Sequence, residues 1–132
     1  MLLDQALLDK VSAEAKASPR LRMNFNLHES LDSKVQRLFN VMEPGTIVPI
    51  QRRQNTAETM LLVRRKMNVY FHNQEGDITD TFVLSPKDGV YGVHIPKGQW
   101  HSVEVLESGT VMFEVKEGPY APLSNEDIIK KI

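Results

Sequence analysis

Two side chains far apart in this sequence, Glu58 and His101, are of the right type to do chemistry together. His101 closes the run "GVYGVHIPKGQWH", in which Pro96 and Gly98 make a tight turn and set the histidine at the start of the next strand. A residue at a strand end beside a barrel mouth can point into the cavity while its backbone stays rigid. Glu58 closes the stretch "PGTIVPIQRRQNTAE", a turn and a short strand-like run ending in a lone carboxylate. An imidazole and a carboxylate that meet can contribute to a metal site or transfer a proton. The candidate acid/base pair is therefore Glu58 and His101.

The other candidates are weaker. His94 alternates with Val93 and Ile95 and would serve as a ligand only from an inward face. His72 stands before a turn and is expected to be exposed. Arg52, Arg53, Arg64, Arg65 and Lys66 would hold a phosphate or carboxylate if they clustered at a barrel mouth; otherwise they are a solvated strand end. Trp100, Tyr91 and Phe113 read as core or pocket wall.

These residues need a scaffold, and the texture of the chain supplies one. Leu3, Leu7, Val11 and Ala15, with Leu8 beside them, form one apolar helical stripe that Ser18-Pro19 ends. From about residue 20 the pattern changes to short strands: "VQRLFNVME", "TMLLVRR", "KMNVYFH", "ITDTFVL", "VYGVHI", "WHSVEVL" and "TVMFEVK". Gly- and Pro-containing turns separate them every 8–12 residues, which indicates an all-β sandwich or barrel. The closing "SNEDIIKKI" carries Ser124 and Asp127 at capping spacing, so a short C-terminal helix is expected. One domain spans 1–132: a helix over about 1–19, a small antiparallel barrel over 20–118, and a tail or helix over 119–132.

With 132 residues, 41% hydrophobic and 25% charged, the chain can bury one core. Its net charge of −1 argues against nucleic acid or an anionic membrane as partner. The absence of cysteine excludes disulfides, thiolate nucleophiles and Cys-ligated zinc. Asp4 and Asp9 interrupt the first apolar stretch, which has no basic leader, so it reads as a helix and the expected compartment is the cytoplasm.

The two stretches around Glu58 and His101 resemble the paired motifs of the cupin superfamily, small jelly-roll β-barrels. With the flanks "SPRLRMNFNLH", "VQRLFN" and "GTVMFEVKEGPY", the chain over roughly residues 2 to 122 resembles the WbuC family of cupin-fold metalloproteins, often associated with surface-polysaccharide (O-antigen) gene clusters. The resemblance implies two histidines spaced His-x-His, then a glutamate, then a third histidine. Matched position by position, the glutamate is Glu58 and the last histidine is His101, the remnant metal ligands. The His-x-His positions carry Gln51 and Arg53, and a glycine position carries Arg65. Residues two apart on a strand share a face, so Gln51 and Arg53 would point the same way. Glutamine is a poor ligand for a borderline metal and guanidinium is none, so the first motif is degenerate. Arg20, Asn26 and His28 match positions that recur in the family and would either close one end of the pocket or serve structure.

Two arrangements of the loop remain open. Arg53 points inward and pairs with Glu58 in place of the metal, or it turns to solvent and backbone or water satisfies Glu58. The function expected is binding of a small carbohydrate or anionic metabolite, by Gln51, Arg53, Glu58, His101, Arg64, Arg20, Asn26 and His28, in surface-polysaccharide metabolism. No cofactor is expected, and any metal bound would be a divalent transition ion. The alternative is an isomerase or epimerase acting on a sugar nucleotide, with or without metal. A homodimer through exposed sheet edges is expected.

Overall fold

A computed structural model describes residues 1–130 of the chain. Helix α1 (Gln5–Ala17) starts where the Asp4 carboxylate accepts the Leu7 N–H at 3.0 Å, and it stops at Ser18 before Pro19. Its buried stripe is Leu8, Val11, Ser12 and Ala15, the expected face; Leu3 lies ahead of the cap, half-exposed. Among the described residues ten strands follow: β1 (Arg22–Asn26), β2 (Val35–Met42), β3 (Ile50–Gln51), β4 (Glu58–Arg64), β5 (Met67–His72), β6 (Ile78–Leu84), β7 (Gly92–Ile95), β8 (Trp100–Val105), β9 (Thr110–Glu117) and β10 (Ile128–Ile129). They form two five-stranded sheets, β1-β2-β9-β4-β7 and β10-β3-β8-β5-β6, with antiparallel pairing throughout.

The expected C-terminal helix is instead one 3-10 turn, Asn125–Asp127, followed by β10; residues 131–132 of that expectation lie outside the described residues. The Ser124 hydroxyl is spent on the Asp127 side chain rather than on a backbone cap. The β-branched pair Ile128-Ile129 then extends along β3. No helix among the described residues is long and apolar enough to cross a membrane.

Two apolar clusters hold the fold together. Between the sheets lie Met42, Met60, Leu62, Met67, Val69, Leu84, Ile95, Val105 and Met112. On the outer side of the first sheet, α1 packs Leu8, Val11 and Ala15 on Phe39, Val41 and Val111. Strand β2 is thus covered on both faces, its alternate residues serving one cluster each. Arg64 pins the helix to the barrel. Its guanidinium donates to the Gly109 carbonyl (3.0 Å), the Asp9 carboxylate (2.7 Å) and the Ser12 hydroxyl (3.0 Å).

The apolar interior fills only one half of the space between the sheets. Along β9 the inward positions run Met112, Glu114, Lys116, and β4 pairs them with Leu62, Met60 and Glu58 in turn. Along β2 they run Met42, Asn40, Leu38, Gln36, opposite Thr110, Met112, Glu114 and Lys116. Each strand therefore passes from a methionine-rich floor to polar and charged residues at the other end. That polar end is the candidate site.

Candidate functional site

A cavity of about 160 Å³ opens there, lined by residues from both sheets. The second sheet contributes Gln51 on β3 and His101 on β8, directly paired across the ladder and so on one face. Gly98, in the left-handed conformation at φ 81°, lets the Pro96 turn close and sends its N–H to the Arg53 carbonyl at 2.7 Å. That bond ties the loop after β3 to the turn before β8. It brings Arg53 and His101 to the same cavity although they are distant in sequence.

His101 is 1% exposed and Glu58 8%. The Nε2 of His101 lies 2.8 Å from Glu58 Oε1, at ion-pair distance, yet it makes no aligned hydrogen bond. The other ring nitrogen, Nδ1, lies 3.0 Å from the Gln99 carbonyl and donates its proton there. Burial opposes the imidazolium, but contact with Glu58, the Glu58 charge and the Gln99 carbonyl outweigh it and raise the His101 pKa. Burial likewise opposes the Glu58 carboxylate, and His101, then Lys116 and Arg53, overcome it and hold its pKa below the ordinary value. The pair therefore favours imidazolium and carboxylate: one proton donor beside one proton acceptor at the wall of a cavity.

Of the two arrangements left open by the sequence, Arg53 does not take the one that pairs it with Glu58. Its Nη1 donates to the Ala121 carbonyl at 2.7 Å, and its charge reaches Glu58 only at a distance. His101 is the counter-charge instead, because β3–β8 pairing places it nearer than the loop places Arg53.

Of the other expected ligand contacts, Arg64 faces α1, where its donors are taken up, and it is not at the cavity. Arg20 does not line the cavity; with Pro19 and Gly45 it lines a neighbouring cleft that shares Arg22 with it. Asn26 is exposed at the far end of β1. His28 holds the Arg37 backbone with Nδ1, accepting from its N–H at 3.2 Å. The basic run is dispersed in the same way. Arg52 stacks 4.5 Å above the Trp100 ring and pairs with Asp127 at 3.0 Å, and Arg65 takes the left-handed φ of 72° at the glycine position.

His94 turns outward to the Thr59 hydroxyl. His72 is buried, not exposed: it lies 2.7 Å from the Ser102 hydroxyl, and its Nδ1 donates to the Gly76 carbonyl.

Five polar residues of the cavity do not stand out in the sequence: Arg22, Asn24, Asn40, Glu114 and Lys116. The signal available was charge at every second position of "MFEVK", which reads equally well as a solvent-facing edge. Arg22 has no carboxylate within ion-pair distance among the described residues; burial, then Arg20, lower its pKa.

The family model described as "Domain of unknown function (DUF6016)" matches residues 3–84, more than half of the chain. The chain belongs to the DUF6016 family. No curated protein matches it. Among solved structures, KdgF from a Halomonas species aligns at TM-score 0.61 with 12% identity, over 79% of this chain and 84% of that one. The capsular polysaccharide assembling protein CapF from Staphylococcus aureus aligns at TM-score 0.64 with 20% identity, over 80% of this chain and 28% of that one. The Cnp3 cupin domain of Schizosaccharomyces pombe aligns at TM-score 0.56 with 12% identity, over 71% and 62%. These likenesses show the fold: this DUF6016 chain has the cupin β-barrel.

The transition metal that the cupin resemblance implies does not fit the donors present. Among the described residues no three His, Cys, Asp or Glu side chains are arranged to hold an ion. Glu58 and His101 face each other, Gln51 offers only an amide, and the fourth position is a guanidinium. Such a donor set gives a transition ion too few ligands and a neighbouring positive charge.

Proposed function

We propose that this chain is a cupin whose metal-ligand positions have been given over to binding a small anionic metabolite of the carbohydrate class. One observation carries the reading. Arg22, Arg53 and Lys116 line one cavity with Glu58 and Glu114; His101 pairs with Glu58 and Lys116 lies 3.7 Å from Glu114, so Arg22 and Arg53 have no carboxylate within ion-pair distance among the described residues. Cations lining a half-enclosed space of low dielectric favour an anion there. The resemblance to the WbuC family and the fold shared with CapF support a place in surface-polysaccharide metabolism. Heteronuclear NMR titration of the protein with small carboxylates tests the binding. Shifts should map to the cavity residues and vanish in Arg22→Ala with Arg53→Ala; shifts elsewhere, or none, would overturn the reading. Metal analysis of protein purified without added ions is the second check, since stoichiometric bound metal contradicts a decayed site.

The opposed pKa shifts of Glu58 and His101 favour a second reading, acid–base catalysis of isomerisation or epimerisation on a sugar nucleotide. The cavity is below the ~300 Å³ of common ligand pockets, so it would take the sugar alone. The nucleotide would lie in the neighbouring cleft of about 350 Å³, which shares Arg53 and Lys116 with it. Turnover of a nucleotide sugar that disappears in Glu58→Gln and His101→Ala would establish the enzyme; binding without turnover favours the module.

A further inference from the structure

Glu114 and Asn40 stand together on the cavity wall. Glu114 is 6% exposed; its carboxyl accepts from Asn40 Nδ2 at 3.3 Å, and Lys116 Nζ lies 3.7 Å away. The latter is within ion-pair range but beyond a hydrogen bond. Asn40 spends its amide nitrogen on Glu114 and leaves its buried Oδ1 with no partner. Strand pairing puts Glu114 opposite Leu38 of β2 and Met60 of β4, so its immediate flanks are apolar. Buried polar groups are nearly always satisfied, and an exception at a cavity wall marks where a ligand's own polar atoms belong.

Resting on the anion-site reading, we infer that Glu114 and Asn40 form a hydroxyl-recognition pair, so that the cavity selects a small hydroxy acid over a plain carboxylic acid. The ligand carboxylate faces Arg22, Arg53 and Lys116. Its neighbouring hydroxyl donates to Asn40 Oδ1 and accepts from the Glu114 carboxyl in its acid form. Space agrees with this size: about 160 Å³ is the volume of some five water molecules at ~30 Å³ each.

The groups facing Glu114 come from every neighbouring strand: Arg22 on β1, Asn40 on β2, Glu58 on β4, His101 on β8 and Lys116 on β9, with Arg53 at the mouth. Burial raises the Glu114 pKa, Lys116 pulls it back, and the Glu58 charge raises it again; it ends above the ordinary carboxylate value. The shift is toward the acid form, which donates to a hydroxyl oxygen.

Lactate and propionate differ at this level by one hydroxyl and are the probes. Calorimetry or NMR titration of the full chain should show lactate binding tighter by about tenfold, the factor that one net hydrogen bond near 1.4 kcal/mol supplies. Asn40→Leu and Glu114→Ala should bring the two acids level. Glu114→Gln keeps a donor and should keep the preference, while removing the part of its pH dependence that Glu114 carries. Equal binding of both acids by the wild type, or a preference that survives Glu114→Ala, overturns the hydroxyl pair and leaves the anion site standing. Failure of both acids to bind overturns the hydroxyl pair and the anion site alike.

Discussion

Glu58→Gln keeps the volume of the side chain and removes the charge that holds His101 ionised. At the 2.8 Å separation of the pair, unit charges in a medium of effective dielectric constant near 20 attract by roughly 6 kcal/mol. Taking both ions out of water returns several kcal/mol per ion, so the net is a small difference of large terms. His101 also has an escape, because burial is the largest single influence on its ring and it opposes the charge. Without Glu58 the imidazole releases its proton rather than remain a stranded ion. The loss is then that of one disrupted buried polar contact, about 1–3 kcal/mol, and not the 3–5 kcal/mol of an unpaired buried charge. For a chain of 132 residues that is a fall in Tm of roughly 3–4 °C per kcal/mol.

The pH dependence has a definite sign. The lowered Glu58 pKa gives stability that is present above the unfolded carboxylate value and lost as pH falls through the folded one. The raised His101 pKa gives stability present below the unfolded imidazole value and lost as pH rises through the folded one. The gap between wild type and variant should therefore be widest between those limits and narrow at both ends. NMR titration of the imidazole resonances provides the site-specific assay. His101 should titrate above the ordinary histidine value of about 6.5 in the wild type and below it in Glu58→Gln. A ring that stays above that value in the variant, or a stability gap flat with pH, would refute the coupling.

Three further outcomes follow from the same geometry. Gln51→His with Arg53→His should create affinity for a divalent transition metal, read as a thermal shift with added zinc or the visible spectrum with cobalt, because both positions line the cavity with Glu58 and His101. Arg64→Ala should lower stability by about 1–3 kcal/mol through its lost bonds to Gly109, Asp9 and Ser12, and leave anion titrations at the cavity unchanged. Gly92→Ala drives a Cβ into the Met60 carbonyl and to 2.7 Å from the Leu61 side chain, so β7 must shift from β4. Denaturant unfolding should show that loss, and amide exchange should show it concentrated where Leu61 pairs with Gly92 and Met60 with Val93.

Cupin proportions were legible in the sequence because they rest on local rules. The spacing of Leu8, Val11 and Ala15 demands a helix, Pro19 ends it, and alternation between Gly and Pro turns demands short strands. Glu58 and His101 were legible because a carboxylate and a histidine beside tight turns stand out without a partner in view. Strand parity put Gln51 and Arg53 on one face; in the structure β3 ends at Gln51, and the bond from Gly98 to the Arg53 carbonyl brings Arg53 to the cavity.

The other half of the site was decided by which face of each strand the fold turned inward. In "TVMFEVKE" the apolar set Val111, Phe113 and Val115 looks like the buried face, and Met112, Glu114 and Lys116 like the face in water. The structure lays α1 over Val111 and Phe113 and turns Met112, Glu114 and Lys116 to the cavity between the sheets. Arg64 shows the converse. By type it is a ligand-binding cation, yet α1 and the Gly109 carbonyl take its donors, while Arg22, unremarkable in sequence, has no carboxylate within ion-pair distance among the described residues. Periodicity fixes that a strand has two faces; which one encloses a cavity depends on pairings far apart along the chain. Local pattern was enough for the barrel and for singling out Glu58 and His101; the cations and the second carboxyl around them were set by tertiary closure.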